Sequence, residues 1–133
     1  MRKTSKYYIK DFKIPIYGGT VVYGEYTSKN FYDIIEVLST KYDLNPEVTN
    51  DIHLCHGLTY ESYSEKKGKH YFLLVRTDAK GYLDTFSHEM SHIVEAIITH
   101  CGVKRYPGKA NEAIAYLTGY LTELLINKRR IYK

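Results

Sequence analysis

The 133-residue chain contains no tryptophan, two cysteines and three prolines, and no uninterrupted apolar run approaches the length needed to cross a bilayer. Each shortage removes a class. Cys55 and Cys101 form no CxxC pair and no dense framework, which excludes a small secreted domain held together by disulfides. The first residues mix Arg2, Lys3 and Lys6 with Tyr and Ile and offer no apolar core for a signal peptide, so a cytoplasmic protein without membrane attachment is expected. No glycine-rich phosphate loop and no Ser-His-Asp spacing can be recognised.

What remains is a chain of single-domain size with 44% hydrophobic and 26% charged residues, the balance of a globular protein. Fifteen tyrosines supply most of the aromatic packing. The net charge of +4 owes much to the ends, where Lys128, Arg129, Arg130 and Lys133 mirror the basic N-terminus. Solvated termini explain that distribution, and nucleic acid is not the expected partner.

Residues 7–16 and 20–26 read as two strands joined by a turn at Tyr17-Gly18-Gly19, with Pro15 marking the first as an edge strand. Residues 31–42 switch to helical period, with Phe31, Ile34, Ile35, Leu38 and Tyr42 on one face and Asn30 or Ser28 as the cap. Residues 52–63 and 70–77 read as two more strands around a charged loop at 64–69. A helix over 81–101 and a second over 110–128 complete the chain. The predicted fold is a single α+β domain. It has a small, mainly antiparallel sheet of three to five strands, packed against the first helix and both later ones.

The helix over 81–101 carries the most informative run, His88-Glu89-Met90-Ser91-His92. In this HExxH pattern two histidines four apart lie one turn above each other, so both imidazoles reach the same point and can share one zinc ion. Glu89 lies about 100° round the helix from His88, close enough to serve as general base for a metal-bound water. Phe86, Met90, Ile93, Val94, Ile97 and Cys101 form an apolar stripe, and His88, His92, Glu95 and Thr99 cluster on the other side. Core histidines would lie within the stripe; these project away from it.

A catalytic zinc needs a third protein ligand. The metzincin pattern is excluded, because Glu95 and Ile98 occupy the places of its glycine and third histidine. Glu112, twenty residues after His92 in the first turn of the last helix, can be returned to the metal by the intervening chain. Its competing role is an acidic residue complementing a helix N-terminus. Tyr116, one turn further on, is a candidate hydrogen-bond donor to an oxyanion, with packing as the alternative. Ala115 and Gly119 offer a small-residue strip suited to close approach of another backbone. His53, Cys55 and His56 suggest a second metal site, but strand alternation separates His56 from the other two.

HExxH followed by Asn111-Glu112-Ala113-Ile114-Ala115-Tyr116 resembles the gluzincin-type zinc metallopeptidases. More narrowly, SHEMSHIVEAIITHCGV and then NEAIAYLTGYL are similar to small peptidases encoded by bacteriophages and bacterial prophages, over roughly residues 81–126. The resemblance implies a minimal zincin-like core holding one zinc ion through His88, His92 and Glu112, with Glu89 as the base and a peptide or protein as substrate. It also implies an edge strand above the cleft, expected at residues 70–77, to pair with an extended peptide. Two departures stand out. Larger gluzincins have an aspartate where this chain has Tyr116, which leaves Glu95, or more weakly Glu123, to orient a ligand. The large helical domain of thermolysin-like enzymes is also absent. The alternative expectation is a zinc-binding interaction module, weak or inactive as an enzyme, acting on a host or phage regulator.

Overall fold

The computed structural model describes residues 7–15, 17–45, 56–102 and 109–129, with the side chains of 109–111 and 127–129 left aside. His53, Cys55, Pro107 and Gly108 lie outside the described residues. Among the described residues, four strands, β1 (Tyr8–Lys13), β2 (Thr20–Tyr26), β3 (Gly57–Ser64) and β4 (Gly68–Arg76), and three helices, α1 (Phe31–Tyr42), α2 (Tyr82–His100) and α3 (Lys109–Arg129), follow one another as ββαββαα. The strands form one sheet in the order β1-β2-β4-β3. β1 pairs antiparallel with β2, and β3 with β4, while β2 and β4 run parallel at the centre. An α+β domain is therefore observed, with a mixed four-stranded sheet.

Tyr71, Phe72, Leu73, Leu74 and Val75 of β4 have no exposed surface. A full side chain of this kind stabilises by about 1.5–3 kcal/mol when buried. Five in sequence require cover on both faces of the sheet, which is why this strand reads as a continuous apolar run. Val22, Phe72 and Leu74 meet Phe31, Ile34 and Leu38 of α1 on one face. Tyr23, Tyr71, Leu73 and Val75 meet α2 and α3 on the other, through Phe86, Ile93, Ile97, Leu117 and Leu121 among others.

The central position of β4 corrects the expectation that residues 70–77 form the edge strand. The edge beside α2 belongs to β3, whose half-polar sequence GLTYESYS needs only partial burial. β1, the other edge, fulfils the reading taken from Pro15.

At their C-terminal ends the parallel strands are tied together. The Thr77 amide donates to the Tyr26 carbonyl at 2.8 Å. Asp78 accepts from the Ser28 hydroxyl at 2.8 Å and from Arg76 Nε at 2.7 Å. From this knot the chain leaves β2 for α1 and β4 for α2, on opposite faces. Asn30 occupies the N-cap position of α1, but its side chain turns back to accept from the Thr27 amide at 2.7 Å and makes no capping bond. Gly102, at φ 73°, follows the end of α2, its amide donating to the Thr99 carbonyl at 3.1 Å.

Two glycines do opposite things. A Cβ on Gly24 would stand 2.8 Å from Leu74 Cδ2 and 3.1 Å from Ile34 Cδ1, so its absence lets α1 lie close on the sheet. A Cβ on Gly119 would meet nothing within 4 Å, and Ala115 is exposed. The expected close approach along Ala115 and Gly119 is thus not found. Leu117, Leu121 and Leu125 take the core-facing line of α3 and turn the small residues to solvent.

Gly119→Ala is expected to stabilise the protein by about 0.8–1.0 kcal/mol through helix propensity alone. Gly24→Ala should destabilise it by on the order of 1–3 kcal/mol through overpacking. Urea unfolding of both variants beside the parent checks each sign. Asp78 supplies a pH test. Burial pulls its carboxyl up, but hydrogen bonds from Arg76 and Ser28 outweigh that and hold it below its ordinary value of 3.8. Its contribution is present above 3.8 and lost as pH falls through the lower folded value. Melting curves of the parent and Asp78→Asn should differ at pH 6 and converge in acid.

Candidate metal centre

Helix α2 lies across β4 and β3 with Phe86, Met90, Ile93, Val94, Ile97 and Ile98 buried. Its opposite side, carrying His88, Ser91, His92, Glu95 and Thr99, is exposed. The amphipathic period of the helix therefore sets the direction of both histidines: sheet contact fixes one side, and the imidazoles emerge on the other.

The two rings are near-perpendicular, with planes 82° apart and centroids at 4.8 Å. Their Nε2 atoms stand 3.2 Å apart. Two nitrogens bound to one zinc at about 2.0–2.1 Å in tetrahedral geometry stand about 3.3 Å from each other. The same distance also permits a hydrogen bond between the rings in the metal-free protein, with the donor set by the tautomers. The Ser91 hydroxyl donates to the His88 carbonyl at 2.8 Å.

Glu89 is half-buried and lies towards β3. The position a Cβ would take on Gly57 is 3.1 Å from Glu89 Cγ and 2.8 Å from Thr85 Cγ2, so the start of the edge strand rests on this row of α2. Further along, a groove of about 750 Å³ runs between β3 and α2, lined by Thr59, Glu61, His92, Glu95, Thr99 and His100 among others. Lys69 compensates Glu61 with an ion pair at 2.8 Å.

The structure brings His88 and His92 together with Glu89 beside them in the same turn; it does not bring in the other two expected residues. Glu112 is exposed and lies nine residues before the buried Leu121, about half a turn away around α3. Among the described residues, no three His, Cys, Asp or Glu side chains gather as a metal-ligating group. Tyr116 is 76% exposed. It lines a different groove, with Ile14, Pro15, Tyr17, Leu117 and Tyr120 at the β1–β2 turn. The residues fit a metal as a two-histidine pair, with the third donor still to be supplied. Glu95 keeps company with His92 along the groove, and Glu123 is exposed on α3. Cys101 donates its thiol hydrogen to the Tyr17 carbonyl at 3.3 Å, as a packing residue does.

Gly57 escaped the sequence reading. A glycine inside a strand signals close approach of another element, but the sequence alone does not say which.

No protein-family model, curated protein or solved structure matches this chain. Among the described residues, no helix is long and apolar enough to cross a membrane.

Proposed function

We propose that the chain is a zinc-dependent metallopeptidase of the HExxH type, hydrolysing peptide bonds in a narrow set of protein substrates, and that it is phage- or prophage-encoded. The observation that carries this reading is the 3.2 Å separation of His88 and His92 Nε2 on the open side of α2. It agrees with the spacing of two ligands on one zinc. Glu112 is the proposed third ligand, and reaching the metal requires it to leave its solvent-facing position. A zinc ion held there would supply a water of lowered pKa and polarise the scissile carbonyl.

The chain's own residues then have defined tasks. His88 and His92 orient the metal through a rigid helix. Glu89 accepts a proton at its carboxylate and returns it to the leaving amine, a role open to a carboxylate next to the ligands in sequence. Strand β3, the outer strand of the sheet among the described residues, would give an extended peptide a partner for main-chain pairing. Tyr116 lines another groove, apart from the histidine pair.

A second reading, a zinc-binding interaction module without robust catalysis, is favoured by the outward position of Glu112. The two diverge in their response to Glu112→Ala and Glu89→Gln. For a peptidase, Glu89→Gln should keep zinc while losing activity by about 10²–10⁴-fold. Glu112→Ala should weaken zinc binding, as His88→Ala and His92→Ala do. Metal analysis by mass spectrometry beside digestion of a fluorescent peptide library, with and without chelator, measures both. Zinc retained by all three ligand variants would remove the site. Zinc bound with no chelator-sensitive cleavage would leave the interaction module.

A further inference from the structure

We infer that Gly57 is a positioning residue for Glu89: the missing Cβ at the start of the edge strand lets β3 close on α2 and hold the glutamate stem in the turn that carries the histidine pair. This rests on the reading of Glu89 as the general base and adds the part that fixes its direction.

Three neighbours surround the position a Cβ would occupy: Thr85 Cγ2 at 2.8 Å, the Leu74 carbonyl oxygen at 2.9 Å and Glu89 Cγ at 3.1 Å. They do not yield equally. The Leu74 oxygen belongs to β4, which is paired on both sides, with Gly57 opposite Val75 and the Arg76 amide donating to the His56 carbonyl at 2.8 Å. It cannot retreat without breaking the ladder. Thr85 and Glu89 are four apart on α2, one row of one helix face. A methyl group at position 57 must therefore push that row, and Glu89 with it. Gly57 does not have the positive φ of Gly18, Gly19, Gly68, Gly81 and Gly102, so it is space rather than backbone conformation that requires glycine here. In a strand that choice costs stability and marks a close approach. His88 and His92 are exposed, and neither is among the three neighbours that a Cβ at position 57 would meet. Metal binding and base positioning are thereby separable.

The test is Gly57→Ala, read in two ways. In metal-free protein, NMR three-bond couplings that report the χ1 angle of Glu89 should change, while those of Glu95 on the same helix stay within error. In zinc-loaded protein, zinc affinity should stay within about threefold, KM should move little and kcat should fall by about tenfold or more. Adding Thr85→Ser removes the methyl group nearest the new Cβ. It should recover part of kcat and return the Glu89 couplings towards the parent values, and it takes the place of the single variant if that does not fold. Unchanged Glu89 couplings overturn the inference whatever the activity. Changed couplings with kcat unaltered overturn the positioning role. A parent protein that binds no zinc and cleaves nothing refutes the peptidase reading instead, and the positioning role falls with it even if the couplings show the contact to be real.

Discussion

Everything in this domain depends on β4 being buried on both faces. Tyr71 to Val75 leave no surface for water, so the sheet must be covered by α1 on one side and by α2 and α3 on the other. Parallel pairing with β2 then follows the geometry of the connections: both strands end at the Asp78 knot and send their helices to opposite faces. The helix with the histidines reaches the sheet under this constraint. Its buried residues lock onto β4 and β3, and the rotation that burial imposes turns His88 and His92 outwards.

Much of this was legible in the sequence because it is local. The α1 face of Phe31, Ile34, Ile35, Leu38 and Tyr42 is the buried face, residue for residue, since a 3.6-residue period records which side meets the core. The stop of α2 at Gly102 and the turn at Gly18 and Gly19 were readable from residues that tolerate positive φ. Strand order was not. The length of the apolar run in residues 70–77 was a local signal for a central strand, but it does not say which strands lie on either side. The Asn30 cap failed for a similar reason: an asparagine before a helix can bond forward to the first turn or back to the preceding loop, and here it bonds back to Thr27.

The site divides along the same line. An i, i+4 pair is encoded within one turn, and the convergence of two imidazoles depends on little beyond the helix itself. A third ligand from another helix depends on how that helix is rotated. On α3 the rotation is set by Leu117, Leu121 and Leu125, which compete for the core against any demand from Glu112. Three buried leucines outweigh one exposed carboxylate in setting that rotation. The energy that could reverse this is that of metal coordination, which for structural zinc amounts to about 10–16 kcal/mol in small peptides and is coupled to folding.

The unequal burial of the HExxH residues has a further consequence. Holding a glutamate in one conformation costs up to about 1.5–2 kcal/mol in side-chain entropy. A base on an open helix face would incur that cost each time substrate is bound. Where the stem already lies against the start of β3, part of the ordering occurs on folding, and in the proposed peptidase the carboxylate would be poised before substrate arrives. The imidazoles do not need such support. The pitch of the helix keeps them within reach of each other, and a bound ion would lock both rings at once. One motif of five residues thus draws its order from two sources: the helix for the histidines, and the edge strand for the glutamate between them.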